Sequence, residues 1–237
     1  MTQLHVEEVM AKARLIPMRN LAQEIEAAAE GGRYCVVFDK NENANVYFTY
    51  KGTMKEVNKL SVSVTIGHRT REEALEVLRK SLVYSMRIGD VFALNCDNLN
   101  INFNEIWTHP EIFPVDEISD FDEWRERDNY MKIVKPDEDY DLIGNKKCYV
   151  MNEKFTMVFL YRYTSDEDMV RIVDNIPNSE MMRFLITQPQ QEPGQGQADA
   201  DQAQRQALTA AQNYSFNAYD NDTTYGVGVR SFDVYER

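Results

Sequence analysis

The apolar residues of this chain fall into continuous runs, helical spacing and alternation, and each pattern predicts a different element. Tyr34-Cys-Val-Val-Phe38 before Asp39, Val91-Phe-Ala-Leu94, and the stretch from Phe155 to Tyr161 are near-continuous apolar runs. Strands buried on both faces of a parallel sheet have this composition, because neither face needs polar side chains. Leu21, Ile25 and Ala28 recur at helical spacing and stop at Gly31-Gly32, a natural carboxyl-terminal cap. Leu75, Leu78, Leu82 and Met86 do the same between Thr70 and Gly89, where Thr70-Arg-Glu-Glu73 forms a capping box. A further helix carries Met169, Val170, Ile172 and Val173, with Thr164-Ser-Asp-Glu-Asp168 supplying its cap and Pro177 its end. The amino-terminal stretch reads as helix, with Pro17 near the start of the Leu21 series. Residues 45–50 and 60–66 are β-prone, the second with Val62, Val64 and Ile66 alternating with Ser61, Ser63 and Thr65, and they predict a hairpin-like excursion or an edge extension before the next helix. Residues 147–151 predict a second hairpin, turning at Asn152-Glu153 into the Phe155 strand. The expected fold is α/β, three layers deep, with a mainly parallel sheet and β-hairpin excursions.

The pattern breaks twice. From Asn95 to Asn104, and on through Trp107, the chain is polar and irregular, with short helices expected. Beyond Thr187 it turns to Gln-Pro-Gln-Gln-Glu-Pro-Gly-Gln-Gly-Gln, a composition that cannot bury enough surface to order itself. The expected organisation is therefore an α/β domain over 1–187, a Gln/Pro/Gly-rich linker over 188–198, and a segment over 199–237 with a candidate helix and a flexible tail. Tyr214, Phe216, Tyr219, Tyr225, Phe232 and Tyr235 dot that tail. Spaced aromatics of this kind supply anchors at protein interfaces, so these six are the candidate partner-binding residues. Packing back onto the domain and a free tail are the alternatives.

Charge narrows the choice of partner. Over 237 residues the formal net charge is -13, and no basic stripe is present, which argues against nucleic acid, whose phosphates require clustered Lys and Arg. The acid concentrates in 116–128 and 137–141, either a solvated face or a docking surface for a basic patch. No apolar run reaches membrane-spanning length and residues 1–8 lack a secretory pattern, so no membrane partner and a cytoplasmic location are expected. Cys35, Cys96 and Cys148 are not closely paired and read as reduced, buried thiols, and His5, His68 and His109 do not complete a metal site.

Candidate chemistry is thin. Phosphate-binding NTPases place a glycine-rich loop after the first strand, so that backbone amides and a lysine surround the anion. Here Asp39 is followed by Lys40-Asn-Glu-Asn-Ala-Asn-Val46, with neither glycine nor GK[ST]. Gly31-Gly32 precedes the strand, and Gly144-Asn-Lys-Lys147 precedes no helix, so both read as turns or caps. At the end of the Val91 run, Asn95 and Cys96 stand where magnesium-binding and water-activating carboxylates belong, and Asp97 follows one residue late, in a capping role. No nucleophile elbow, zincin helix or dinucleotide fingerprint appears. No catalytic, metal or cofactor-binding residue is nominated, no cofactor is expected, and a cryptic carboxylate pair in the acidic region is the remaining route to catalysis.

Three of these stretches resemble a degenerate AAA-type P-loop module, with the fifth AAA module of dynein heavy chains as the nearest pattern. Tyr34-Cys-Val-Val-Phe-Asp39 is similar to its first strand, Glu73 to Asn95 to its helix, Gly-Asp turn and second-motif strand, and Met151-Asn-Glu-Lys-Phe-Thr-Met-Val-Phe-Leu-Tyr161 to its polar turn and third strand. Ile176-Pro-Asn-Ser179 falls where the loop after that strand lies, and the resemblance covers 18–184. It implies a P-loop-like domain in a ciliary or axonemal, cytoskeletal setting, partnered by axonemal microtubule or dynein-associated proteins in a large complex. Related noncatalytic modules of ciliary and IQ-motif/ankyrin proteins carry the same implication. The chain lacks the nucleotide lysine, the acidic pair and a motor array, so motor activity is not implied. The expected function is a noncatalytic structural or adaptor component. The alternative is an atypical nucleotide-binding protein or NTPase with phosphate contacts outside the recognised motif.

Overall fold

A computed structural model describes residues 3–188, with side chains from residue 7 onward. The chain passes through α1 (Gln3–Lys12), β1 (Ala13–Pro17), α2 (Leu21–Glu30), β2 (Cys35–Asp39), α3 (Asn43–Lys51), β3 (Thr53–Glu56), α4 (Val57–Thr65), α5 (Arg71–Ile88) and β4 (Val91–Asp97). A long connection with the short helices α6 (Val115–Ile118), α7 (Phe121–Arg125) and α8 (Arg127–Tyr130) leads to β5 (Thr156–Arg162), α9 (Asp166–Val173) and β6 (Arg183–Gln188). The six strands form one sheet in the order β1-β6-β2-β5-β4-β3, and every pairing is parallel. The fold is α/β. These elements lie in a compact unit spanning Met1–Gln190.

The three apolar runs occupy the middle of the sheet. All five residues of β2 are buried, as are six of the seven in β5, and Val36 pairs with Phe159 on one side and Phe184 on the other. Local chemistry sets the helix ends. Thr70 Oγ accepts from the Glu73 amide, and Glu73 reaches back to the Thr70 N–H. Gly89 ends α5 at φ +75°, where a side chain is doubly excluded, since a Cβ there would come within 2.5 Å of Asn152 Oδ1. Ser165 and Asp168 box the start of α9 in the same way.

Both hairpin expectations fail. Residues 45–50 lie in α3 and 60–65 in α4. Their Val, Thr and Tyr content favours strands, but burial follows the helical period: Ala44 and Phe48 face the core from α3, and Val57, Leu60 and Val64 from α4. The only strand between them is β3, a polar, half-buried edge strand. Residues 147–151 form no strand. The Tyr149 amide donates to Asp139 Oδ1 at 3.0 Å, and its phenol donates to the Val83 carbonyl at 2.7 Å, so the segment is tied to a loop and to α5 instead of a neighbouring strand. Cys35 and Cys96 are buried as expected, but Cys148 is exposed, because Tyr149 beside it turns inward.

The faces of the sheet are clothed unequally. One carries α1, α4, α5, α9 and the 98–155 connection, with a large core that includes Phe92, Phe103, Phe113, Trp124, Phe155 and Phe159. The other carries a smaller core of Ile16, Leu21, Ile25, Ala28, Ala44 and Phe48 against Cys35, Val37, Ala93, Val158, Leu160 and Leu185. Among the described residues, α2 and α3 are the helices that cover it.

Candidate functional site

In a parallel α/β sheet, ligands bind beyond the carboxyl ends of the strands, where the chain order reverses. Here β2 and β5 lie side by side at the centre, and the connections leaving them run to opposite sides of the sheet, β2 toward β3 and β5 toward β6. Asp39, Asn95, Asp97 and Arg162 end the three central strands at this crevice, and Glu42 of the β2–α3 connection and Asn45 of α3 border it.

The crevice is filled by the protein's own polar groups. Asp39 is 3% exposed. Its Oδ2 accepts from the Ala44 amide at 2.6 Å, and its Oδ1 accepts from the Asn41 amide at 3.1 Å and the Thr187 hydroxyl at 2.8 Å. The amides at the start of α3 are the groups that would cradle an anion after the first core strand. A carboxylate from the preceding strand already occupies the Ala44 amide there and the Asn41 amide just before it, so an incoming phosphate would meet a carboxylate in its own position. Arg162 then spans the opening: Nη1 pairs with Glu42 Oε1 at 2.6 Å and Nε with Asp97 Oδ1 at 2.8 Å. Asn95 Nδ2 donates to Asn45 Oδ1 at 3.2 Å, tying the end of β4 to α3.

Both acids held by Arg162 have left-handed backbones, Glu42 at φ +60° and Asp97 at φ +53°. Such conformations cost a non-glycine residue free energy and persist where surrounding contacts over-determine them. The β4–β5 ladder also shifts register between Asn95 and Asp97, a bulge that brings Asp97 opposite Tyr161 and toward Arg162. What remains open is a cavity of about 20 Å³, room for a single water. Lys40, the cation of the β2–α3 loop, has its ammonium 4.9 Å from the centre of the Tyr163 ring. Beneath the crevice, burial pushes the Cys96 thiol up to about 12, which keeps it protonated and non-nucleophilic at neutral pH.

Asn95 and Cys96 do stand at the end of a core strand, Cys96 buried and Asn95 hydrogen-bonded across to α3. Asp97 does not cap a helix; it is an ion-pair partner of Arg162. The acidic stretch 116–128 forms α6, α7 and α8 at the surface, where Asp120 caps α7 through the Glu123 amide and Lys132 pairs with Glu117 at 2.6 Å. The six tail aromatics from Tyr214 to Tyr235 lie outside the described residues. Sequence reasoning missed Asp39, Glu42, Arg162 and Thr187 as one group. Only Asp39 left a local signal, an acid one loop before a helix. Among the described residues, no group of three or more His, Cys, Asp or Glu side chains is disposed to hold a metal ion, and no helix is long and apolar enough to cross a membrane. No protein-family model, curated protein or solved structure matches the chain.

Proposed function

We propose that this protein is a noncatalytic structural or adaptor component of a larger protein assembly. The observation that carries this reading is the closed crevice: the Asp39 carboxylate sits on the amides that would otherwise cradle an anion, and Arg162 closes the opening by pairing with Glu42 and Asp97. A sheet that keeps its hydrophobic architecture while its own side chains occupy the ligand position is selected for its surfaces. The resemblance to degenerate AAA-type modules supports a ciliary or axonemal, cytoskeletal setting, with the partners drawn from microtubule or dynein-associated proteins. The tail aromatics serve in this reading as contact anchors.

Thermal denaturation of the full chain with ATP, ADP or GTP, each with magnesium, tests the central point. The expected result is no change in Tm beyond the effect of the magnesium salt alone. A nucleotide-specific rise of several degrees would overturn the reading in favour of an atypical nucleotide-binding protein, because ligands that bind the native state raise Tm by mass action. Removing residues 191–237, beyond the compact unit, should leave the denaturation curve of the domain intact and weaken its incorporation into the assembly. Undiminished incorporation would remove the tail from the contact surface.

A further inference from the structure

The thinly covered face of the sheet holds a feature that the closed crevice does not explain. Between α2 and α3 runs a groove of about 620 Å³. Its floor is formed by Val91 and Thr156, the first residues of β4 and β5, and its walls by Ala22, Ile25 and Ala29 of α2 and Tyr47 of α3. The α2 positions follow helical spacing, so one continuous stripe lines the groove for about two turns, about 11 Å at 1.5 Å per residue. Two of its three residues are alanines, which lets another backbone come close. In the floor, the buried Thr156 hydroxyl has no hydrogen-bond partner among the described residues.

The rim carries a distinct charge. Glu26 and Glu30 project from α2 and Glu153 from the loop before β5, opposed by Lys154 alone. Among the described residues none of the three carboxylates is engaged in a hydrogen bond or ion pair, in contrast to Glu24 on the same helix, which holds Arg14 at 2.7 Å. An apolar trough with an acidic rim is complementary to an amphipathic helix whose apolar stripe is flanked by Lys and Arg. We propose that the α2–α3 groove is the docking site for such a basic amphipathic helix from a protein partner. This rests on the adaptor reading above and names the surface it uses. The helix completes the layer that α2 and α3 begin, and the excess negative charge of the chain steers the basic partner toward it.

The test places a photo-crosslinking amino acid at Ala22, Ala29 or, as a control on the large-core side, Tyr84 of the full chain. Each variant is checked for an unchanged denaturation curve, irradiated in extract of the source cells, and the crosslinked peptides are sequenced. The expected adducts at 22 and 29 lie in a segment with apolar residues at i, i+3, i+4 and i+7 and flanking Lys or Arg. A synthetic peptide of that segment should bind the full chain, and should bind the Glu26→Lys/Glu30→Lys/Glu153→Lys variant at least tenfold more weakly, with a steep salt dependence only in the parent. Adducts to acidic or non-helical segments, or peptide binding unaffected by charge reversal, overturn the proposal. Adducts at 84 but none at 22 or 29 also overturn it and leave the adaptor reading intact. Absence of adducts at all three positions counts against both.

Discussion

Two groups of glutamates in this molecule lead opposite lives. Glu76 and Glu138 enclose Arg79, a residue only 1% exposed on α5. The guanidinium meets Glu76 through Nε at 2.7 Å and Nη2 at 2.8 Å, Glu138 through Nη1 at 2.5 Å and Nη2 at 2.9 Å, and the Ile133 carbonyl through Nη1 at 2.7 Å. All five of its donors are thereby used, which is what makes a buried cation tolerable. Lys135 adds its ammonium to Glu76 at 2.8 Å and its amide to Glu138 at 3.1 Å, so the cluster fastens the long β4–β5 connection to α5. Glu26, Glu30 and Glu153 have no such partner among the described residues and stand around an open groove. The difference separates charge that is committed to the fold from charge that is available to another molecule. Net charge alone does not make that distinction.

The comparison is broken most severely at Arg79. Arg79→Met leaves Glu138 without its cation and Glu76 with Lys135 beside a buried site, and urea denaturation should show a loss of about 3–5 kcal/mol. Asp39→Ala comes next, because it strips partners from the buried Ala44 amide and the Thr187 hydroxyl. A loss of about 2–3 kcal/mol is expected from the same measurement, with Asp39→Asn intermediate. A third effect is pH-dependent. The Arg79 hydrogen bonds hold the Glu76 carboxyl down to about 2, and they also lower Glu138 despite the burial that acts against it. A depressed folded-state pKa gives stabilisation that is complete above the ordinary carboxylate range and lost as pH falls from about 4.5 toward 2. Partial exposure of Glu76 reduces its share to about 1–2 kcal/mol. That increment should be missing from the Glu76→Gln variant when denaturation is followed across this window. The smallest effect is at the groove rim. The triple Gln variant at positions 26, 30 and 153 should change stability by less than about 0.5 kcal/mol at neutral pH, since no partner among the described residues is lost.

What the sequence made legible follows the range of the interactions. The central strands β2, β4 and β5 were visible as apolar runs, because a strand buried on both faces announces itself without reference to its neighbours. The Thr70–Glu73 box and the Gly89 cap were equally plain, being complete within four residues or fixed by one. The edge strands β1 and β3 were hidden, since a short, half-buried strand such as Thr53–Glu56 has no periodic signature. α3 and α4 were misread because Val, Thr and Tyr favour strands while tertiary packing imposed the helical period. The crevice was legible only in what it lacks. Its lock depends on Arg162 meeting Glu42 and on Thr187 meeting Asp39, contacts that join residues 120 and 148 positions apart. No local pattern encodes such pairs, and the same holds for Arg79 with Glu138.

The strand order has a consequence for the life of the chain before it is complete. Among the described residues β1 pairs with β6 alone, Ala13 standing opposite Phe184, and β6 also covers the otherwise open edge of β2. As the chain emerges during synthesis, β2 through β5 can assemble while β1 has nothing to join and the inner edge of β2 stays bare. Such an edge is an invitation to pair with another chain. Only when Arg183–Gln188 slides into the gap does the sheet close, Thr187 reach Asp39, and the amino-terminal strand find its place. Newly made protein therefore depends on β6 to become safe from association with its own copies.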